Sequence, residues 1–546
     1  MAKRVPRGRP AEEPSAIARL WYASPLYRLT LIARPPRRLA RLPPDPWPGD
    51  AARGAGILSG RFTCAGQAIN AEHPDWRSLD LRSAALAELN AFGWLDDLAA
   101  EASEAAQQRA RHLVGDWLDA GQGWDRIAWA PDVLGARVAA WLGHARFLSR
   151  GNGDPLGPRL LASLTRQLRH LRRVAGGGTP GLARLVALKG LVYGSLVGVA
   201  PQTYLAAALR LLERELALQV LPDGGHIERS PSVHLRALEA LSDIRGMLVG
   251  AGRNVPVALE TAIERMAPML RSLRHGDGGL ALFNDSNEEN PALVDVVLAR
   301  ANARARPANE ARDTGFHRLT AERVLVVVDA GAPPPRGFDK HAHAGTLSFE
   351  MSVGKERLIV NCGAHPSSDP AWRKAQRYSA ANSTLVVGDT NSSEVEDDGG
   401  FGRRPRRVEC VREEADGNVW LAMSHDGYEA SLGLIHRRRI YLSHDGADLR
   451  GEDTVAGRYD GAYAIRFHLH PDVQASVIQN GAAALLRLPS GIAWRLQAAG
   501  GGLELAESVY LGKRGEMRRG EQIVIAGPLA GDSTTIKWAL KRVPKA

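Results

Sequence analysis

The sequence predicts an α+β multidomain chain, a helical half followed by an all-β half, and three observations predict it. Apolar residues recur at helical spacing from about residue 78 to 303, the pattern turns to strict alternation near residue 315, and short glycine or proline connectors separate the segments. At 546 residues the chain is too long for one hydrophobic core and divides into two large domains or three of ordinary size.

In order, the first fifty residues form a basic, proline-rich arm that ends at Asp45-Pro-Trp-Pro-Gly-Asp50 and is expected to pack on the body. From Ser78 the pattern is helical. Leu86, Leu89, Phe92, Leu95 and Leu98 recur at threes within Ala84 to Ala100, and Leu113, Val114 and Trp117 continue it through Ala105 to Leu118. Further helical segments run over Asp132 to Leu148, Pro158 to Val174, Pro180 to Val199, Gln202 to Val220, Ser230 to Val249, Val255 to Leu273 and Pro291 to Ala303. Connectors such as Gly176-Gly-Gly178 and Gly250-Ala-Gly252 make these stacked helical hairpins, and solenoid and toroid both satisfy the pattern.

The second half alternates. Arg323 to Val328 is a short apolar run, and Leu347-Ser-Phe-Glu-Met-Ser-Val353 alternates at every step before a Gly-Lys-Glu turn into Arg357 to Cys362. Strands recur at Ser383 to Val387, Val419 to Ser424, Arg438 to Ser443, Tyr463 to His470, Ala484 to Leu488, Ile492 to Gln497, Leu503 to Val509, Gln522 to Ile525 and Thr535 to Leu540. Many short strands with turns between them predict an antiparallel β-sandwich. The domains are therefore an arm at 1–50, a helical domain at 51–315 and a sandwich at 316–546.

Composition narrows the function classes. Cys64, Cys362 and Cys410 are too few and too scattered for a disulfide framework, and no CxxC pair is present. The net charge of +10, with a dense stretch at Arg34 to Arg41, suits an acidic partner, whether nucleic acid, anionic polysaccharide or a membrane surface. Nucleic acid is disfavoured, because no binding motif and no stripe of aromatics among basic residues occurs. The opening Met1 to Pro10 is basic, but the segment through Leu31 is broken by charges, which predicts a cytoplasmic chain without a signal core. No later run is long enough to cross a bilayer as a helix.

Three clusters carry candidate chemistry. Leu221 to Leu235 closes one helix, turns at Gly224-Gly225 with His226, Glu228 and Arg229, and opens the next helix at Ser230-Pro231, an N-cap with proline at the first helical position. Helix-start amides, the dipole and Arg229 would together hold an anion such as a carboxylate, and a plain capped hairpin explains the same residues. In Asp339-Lys-His-Ala-His-Ala-Gly345, His341 and His343 point the same way if the segment is extended. Such a pair binds a metal, neutralises an acidic substrate or transfers protons, or is two surface histidines. Arg377-Tyr-Ser-Ala-Ala-Asn-Ser-Thr384 is the third, while Glu396 to Asp398 reads as a solvated loop and Asn284-Asp-Ser-Asn287 as a capping turn.

The order Asp223-Gly-Gly-His-x-x-Arg-Ser-Pro231, His341-x-His343 leading to Leu347-Ser-Phe-Glu350, Ile359-Val-Asn-Cys-Gly363 and Arg377-x-x-Ala-Ala-Asn-Ser-Thr384 resembles the heparinase II/III family of polysaccharide lyases, in its shorter alphaproteobacterial branch. Phe92-Gly-Trp-Leu-x-Asp97 and Ile465-Arg-Phe-His-Leu-His-Pro471 extend the resemblance over most of the chain. It implies an incomplete (α/α) toroid before the β-sandwich, a periplasmic setting and β-elimination on a uronate glycoside. In that reaction one group quiets the carboxylate, a base removes the C5 proton and an acid protonates the leaving oxygen.

The family's residues are matched only in part. The resemblance implies a tyrosine after the Ser-Pro turn, where Val233 stands, and a toroid Asn or His near Gly181. The first histidine of the pair is kept as His341. Of the zinc set of some relatives, His343 remains while Asn361 and Asn382 occupy the other positions, a poor donor set, so no zinc or other cofactor is expected. The expected catalytic residues are His341 and His226 with Tyr193 or Tyr378, and the expected substrate-binding residues are Arg229, Arg377 and His234. Two functions follow: a lyase with a displaced acid and base, acting on an anionic polysaccharide, or a repurposed glycan-binding protein of an envelope pathway.

Overall fold

The structure, a computed structural model, describes residues 14–43, 47–78, 80–120, 123–149, 154–177, 180–367, 369–397 and 399–544. The basic opening Met1 to Pro10, Asp45 and Pro46 of the arm, Gly178 and Asp398 lie outside the described residues.

Two compact units emerge, and they do not follow the helix-to-strand change along the chain. One holds the described residues up to Gln219 together with Arg236–Ile263, and the other holds Val220–Leu235 and Glu264–Ala546. The helical turn at 220–235 and the helix Pro291–Ala301 therefore belong to the same unit as the sheets.

The helical unit is built from helices that include Ser83–Ala91, Glu104–Ala120, Pro131–Gly143, Leu156–Val174, Leu182–Leu196 and Gln202–Gln219. Pro131–Gly143 and Leu182–Leu196 touch backbone to backbone, since a Cβ on Gly190 would stand 2.6 Å from the Gly135 Cα. Only glycine at both positions lets the two helices approach so closely. Beside them Arg137 is wholly buried: Nε donates to Gln167 Oε1 at 3.0 Å, Nη1 to the Asn90 carbonyl at 2.9 Å, and Nη2 to the Ala128 carbonyl at 2.8 Å. Its guanidinium lies 4.3 Å from the Trp117 ring centre, and burial pulls its pKa down to about 9.

Part of the expected arm is helical and packs on this unit. Ser24 caps Pro25–Leu31, whose Tyr27 and Leu31 are buried. The Tyr27 hydroxyl meets His170 Nδ1 at 2.6 Å, and since burial holds His170 neutral at neutral pH, with its pKa lowered to about 4, the hydroxyl donates. Ile17, Leu20, Leu26 and Leu29 stay exposed, so the arm adds little to the core.

The other unit is a sandwich of two antiparallel sheets. One has eight strands in the order Gln474–Ile478, Ala483–Arg487, Ala493–Ala499, Ser533–Arg542, Asp448–Ala456, Ile435–Leu442, Asn418–His425 and Val408–Ala415. The second has nine and includes the hairpin Phe349–Val353 with Glu356–Val360. The inner faces interdigitate as sandwich packing requires: Phe349 of one sheet stacks on Trp538 of the other with ring centres 5.6 Å apart. Five strands beyond those read from the sequence complete the unit among the described residues, at Glu310–Ala311, Phe316–Ala321, Val408–Ala415, Asp448–Ala456 and Gln474–Ile478. Among the described residues no helix is long and apolar enough to cross a membrane.

Candidate functional site

The turn at 220–235 is fixed by its own sequence. Leu221 N–H donates to the Gly225 carbonyl at 2.9 Å, and Gly224 takes φ +86° where a Cβ would collide with the Arg265 carbonyl. Asp223 accepts from Gly225 N–H and also from the amides of Asp313 and Thr314, tying the turn to the segment before the first long strand. Ser230 caps the next helix as the sequence predicts, accepting from Val233 N–H at 3.3 Å.

Arg229 does not serve the anion site expected of it. It adopts φ +54°, is 6% exposed, donates from Nε to the Thr314 carbonyl at 2.6 Å, pairs through Nη2 with Asp329, and lies 5.0 Å from the Phe316 ring centre. The helix-start amides are occupied as well, with Ser232 N–H donating to Ser286 Oγ at 3.1 Å. The guanidinium and the amides thus serve internal partners, and the helix start presents no free anion cradle.

The two histidines of this turn are also interior. His226 is 1% exposed, and burial, with His234 nearby, pushes its pKa down to about 3. His234 is 1% exposed and its Nε2–H donates to the Met266 carbonyl at 2.9 Å, with burial lowering its pKa to about 4. Both are neutral at physiological pH, and His234 has a packing role rather than a surface for substrate. Tyr193 is buried in the helical unit, on Leu182–Leu196.

The exposed chemistry gathers instead at His341. Its Nδ1 lies 2.9 Å from Asp285 Oδ2, with the two side chains 64% and 43% exposed. The hydrogen bond to Asp285 raises the His341 pKa; the loss of water on the side of the ring that faces the loop and the Arg377 charge oppose this, and the Asp285 and Glu228 charges reinforce it. Asp285 responds in the opposite sense: partial loss of water around it would raise its carboxyl, yet His341, His343 and Arg377 hold it below the usual carboxylate value.

Asp285 belongs to the Asn284-Asp-Ser-Asn287 stretch, which works as a clamp rather than as a simple cap. Asn284 and Asp285 both take left-handed φ, of +50° and +58°. Asn284 Nδ2 donates to the Arg229 carbonyl and its Oδ1 accepts from His343 N–H, each at 2.9 Å. Asp285 N–H donates to His343 Nε2 at 3.0 Å, which places the ring proton of neutral His343 on Nδ1. The two histidines therefore differ from the common orientation an extended segment would give: His343 is 6% exposed and holds the loop, while His341 faces out.

Arg377 stands beside this centre, near enough for its charge to act on both His341 and Asp285. Its Nε donates to the Ala342 carbonyl at 2.7 Å and its Nη2 to the Asp339 carbonyl at 3.1 Å. Tyr378 packs, half-buried, on Ala342, Val395 and Phe401. The positions that would complete a zinc set are committed elsewhere. Asn361 Nδ2 donates to Glu350 at 3.2 Å while its Oδ1 accepts from Ser383 N–H at 2.8 Å, and Asn382 Nδ2 donates to the Tyr378 carbonyl at 2.9 Å.

The clamp continues into Glu288, which accepts from the Tyr510 hydroxyl and stands 3.8 Å from His470 Nε2. Burial would raise its pKa, but His470, Arg357 and Tyr510 lower it to about 2 from 4.5. A depressed carboxyl adds stability above its unfolded pKa that is lost as pH falls through the folded value, so on the order of 3 kcal/mol should disappear between about pH 4.5 and 2. Glu288→Gln is expected to flatten the unfolding midpoint over that window, and an unchanged acid slope would refute the assignment.

Known proteins resemble the chain at several levels. A family profile described as "Heparinase II/III N-terminus" matches residues 198–311, and one described as "Heparinase II/III-like, C-terminal" matches residues 303–539. A curated relative, FtsZ-localized protein C of Caulobacter vibrioides (strain NA1000 / CB15N), is 33% identical over 97% of this chain and 95% of its own length. A crystal structure of heparinase III superposes with a TM-score of 0.74 at 13% identity, over 90% of this chain and 84% of that one. A mutant of the heparan sulfate lyase HepC from Pedobacter heparinus gives 0.62 at 16% identity, over 95% and 88% of the two chains. These likenesses establish the fold as a helical toroid followed by an antiparallel β-sandwich.

Proposed function

Because the chain belongs to the heparinase II/III family, we propose that it engages an acidic polysaccharide at His341 and cleaves it by β-elimination, with His341 as the acid. The observation that carries this reading is the His341–Asp285 pair, an exposed imidazole fixed at Nδ1 and favoured in its protonated form by two carboxylates. In the step proposed, a base takes the uronate C5 proton, the C4–O bond breaks as the C4–C5 double bond forms, and the leaving oxygen takes the proton of His341 Nε2. Arg377 supplies positive charge toward the uronate carboxylate. Tyr378 is assigned as the base, since it packs on Ala342, the residue next to His341.

A second reading, glycan binding without cleavage, is favoured by Val233 in the usual tyrosine position and by the burial of Arg229 and His226. The Caulobacter relative is named for localisation with FtsZ, which suits a binding role.

Absorbance of the unsaturated uronate product, measured across acidic polysaccharides, separates the two. Under the first reading His341→Ala lowers turnover by about 10²–10⁴. Binding of a polysaccharide that His341→Ala weakens, with no product from the wild type, establishes the second; neither product nor binding sinks both. We also propose that His343, Asn361 and Asn382 hold no zinc, their hydrogen bonds standing where metal bonds would be. His343→Ala is then expected to leave the zinc content of the purified protein unchanged.

A further inference from the structure

We infer that His73, His112 and Asp116, on the helical unit, form a solvent-facing binding site for a divalent first-row transition metal such as zinc. This inference does not rest on the glycan reading. Among the described residues these three bring one potential ligand atom each to within 4.8 Å of one another. His112 and Asp116 stand one turn apart on Glu104–Ala120, the i, i+4 spacing that points two side chains the same way. His73 comes from the segment after the strand Gln67–Asn70.

The geometry is close to what a metal needs. His73 Nδ1 lies 2.9 Å from Asp116 Oδ2, His112 Nε2 lies 3.3 Å from Asp116 Oδ1, and the two imidazole centres are 4.9 Å apart. Metal–ligand bonds of about 2.0–2.2 Å in a tetrahedron set neighbouring ligand atoms roughly 3.3 Å apart, so small side-chain rotations suffice. Two imidazoles and one carboxylate select zinc, nickel or copper over magnesium and calcium, which take oxygen ligands.

The scaffold beneath is rigid on both sides. The loop carrying His73 is anchored by buried Trp76, whose carbonyl accepts from Asn90 Nδ2 at 3.1 Å and whose ring stacks on Phe92. The helix carrying Asp116 is anchored by buried Trp117, whose Nε1 donates to the same Asn90 at 2.8 Å. One buried amide thus fixes the backbone under all three ligands. The side chains themselves are 62%, 53% and 29% exposed, which leaves an entry path and an open coordination position. As plain surface ion pairs at that exposure they would add little to stability. Arg109 lies near enough for the charges of Glu72 and Asp116 to act on it, so two carboxylates offset one guanidinium around the site.

The test is titration of zinc alone into the full chain, competing with a chromophoric chelator. One tight equivalent is expected in the wild type, and His112→Ala and His73→Ala should each weaken it at least tenfold. His73→Ala alters an exposed loop side chain and serves if the helix variant fails to fold. His343→Ala should leave the affinity unchanged. No stoichiometric binding, an affinity unmoved by both His73→Ala and His112→Ala, or one lost in His343→Ala overturns the site.

Discussion

Asp453→Ala is expected to destabilise the sandwich by about 3–5 kcal/mol, the cost of leaving one member of a buried ion pair without its partner. Asp453 is wholly buried between the sheets, and its two oxygens serve three groups. Oδ1 accepts from Arg438 Nε and His436 Nε2, each at 2.7 Å, and Oδ2 accepts from Trp538 Nε1 at 2.9 Å. Arg438, equally buried, spends Nη1 on the carbonyls of Leu347 and Ser383, which belong to the turn before Phe349–Val353 and the segment before Leu385–Val387. Burial would raise the Asp453 carboxyl, but Arg438 and His436 hold it far below the usual range. Alanine would leave a guanidinium in apolar surroundings with two carbonyls and no counter-charge. Asp453→Asn, which keeps the shape and part of the hydrogen bonding, should fall between wild type and alanine. The measurement is the denaturant midpoint of the transition that exposes the amides of Ile435–Leu442 to hydrogen exchange, and a loss under about 1 kcal/mol would show that the cluster is dispensable.

That cluster also marks where the sequence stops being readable. Helices such as Pro131–Gly143 and Leu156–Val174 announce themselves because one apolar stripe at 3.6-residue period needs only local information. Leu347 to Val353 alternates for the same reason, with the observed strand at Phe349–Val353. The strand Asp448–Ala456 hides, because its inward positions include Gly451 and Asp453. Gly451 makes room for the Trp538 ring, whose Cζ2 would lie 2.0 Å from an added Cβ, and Asp453 faces Arg438. Val408–Ala415 hides for another reason: it is a sheet edge with Glu and Arg along it, the composition that blunts edge pairing.

The site divides along the same line. The capped turn and the His341-x-His343 pair were legible from residue types at local spacing, while the choice of His341 within the pair and the weight on Val233 in the tyrosine position came from the resemblance to the heparinase II/III family. Asp285 was not legible, because its partner lies 56 residues away, and Asn284-Asp285 reads locally as a cap. The signal that could have found it is the pair itself: Asn and Asp are the residues that tolerate successive left-handed φ, and a turn built on two of them re-aims side chains. His226 and His234 mislead in the opposite direction, because nothing local distinguishes a histidine sealed at 1% exposure from one facing a substrate.

Arg229→Ala should cost about 3–5 kcal/mol of stability while leaving the His341 centre its own charges, the reverse of what a substrate-binding arginine would do. The side chain joins the turn 220–235 to the strand Val324–Asp329 through Asp329, and to the preceding segment through the Thr314 carbonyl. Burial raises the Asp329 carboxyl even with Arg229 beside it, so without that guanidinium its pKa rises further. A carboxyl whose folded pKa lies above its unfolded value favours the folded state at low pH and loses that advantage as pH rises through the folded value. The deficit of the alanine variant should therefore be largest at alkaline pH and shrink as Asp329 takes up a proton. Arg229→Leu combined with Asp329→Leu, which removes both charges and keeps the volume apolar, should recover most of the loss. Unfolding midpoints of the three proteins between pH 5 and about 8 test the series. A variant of wild-type stability that binds acidic polysaccharide tenfold more weakly would return Arg229 to the substrate site, and with it the anion cradle at the start of Pro231–Gly250.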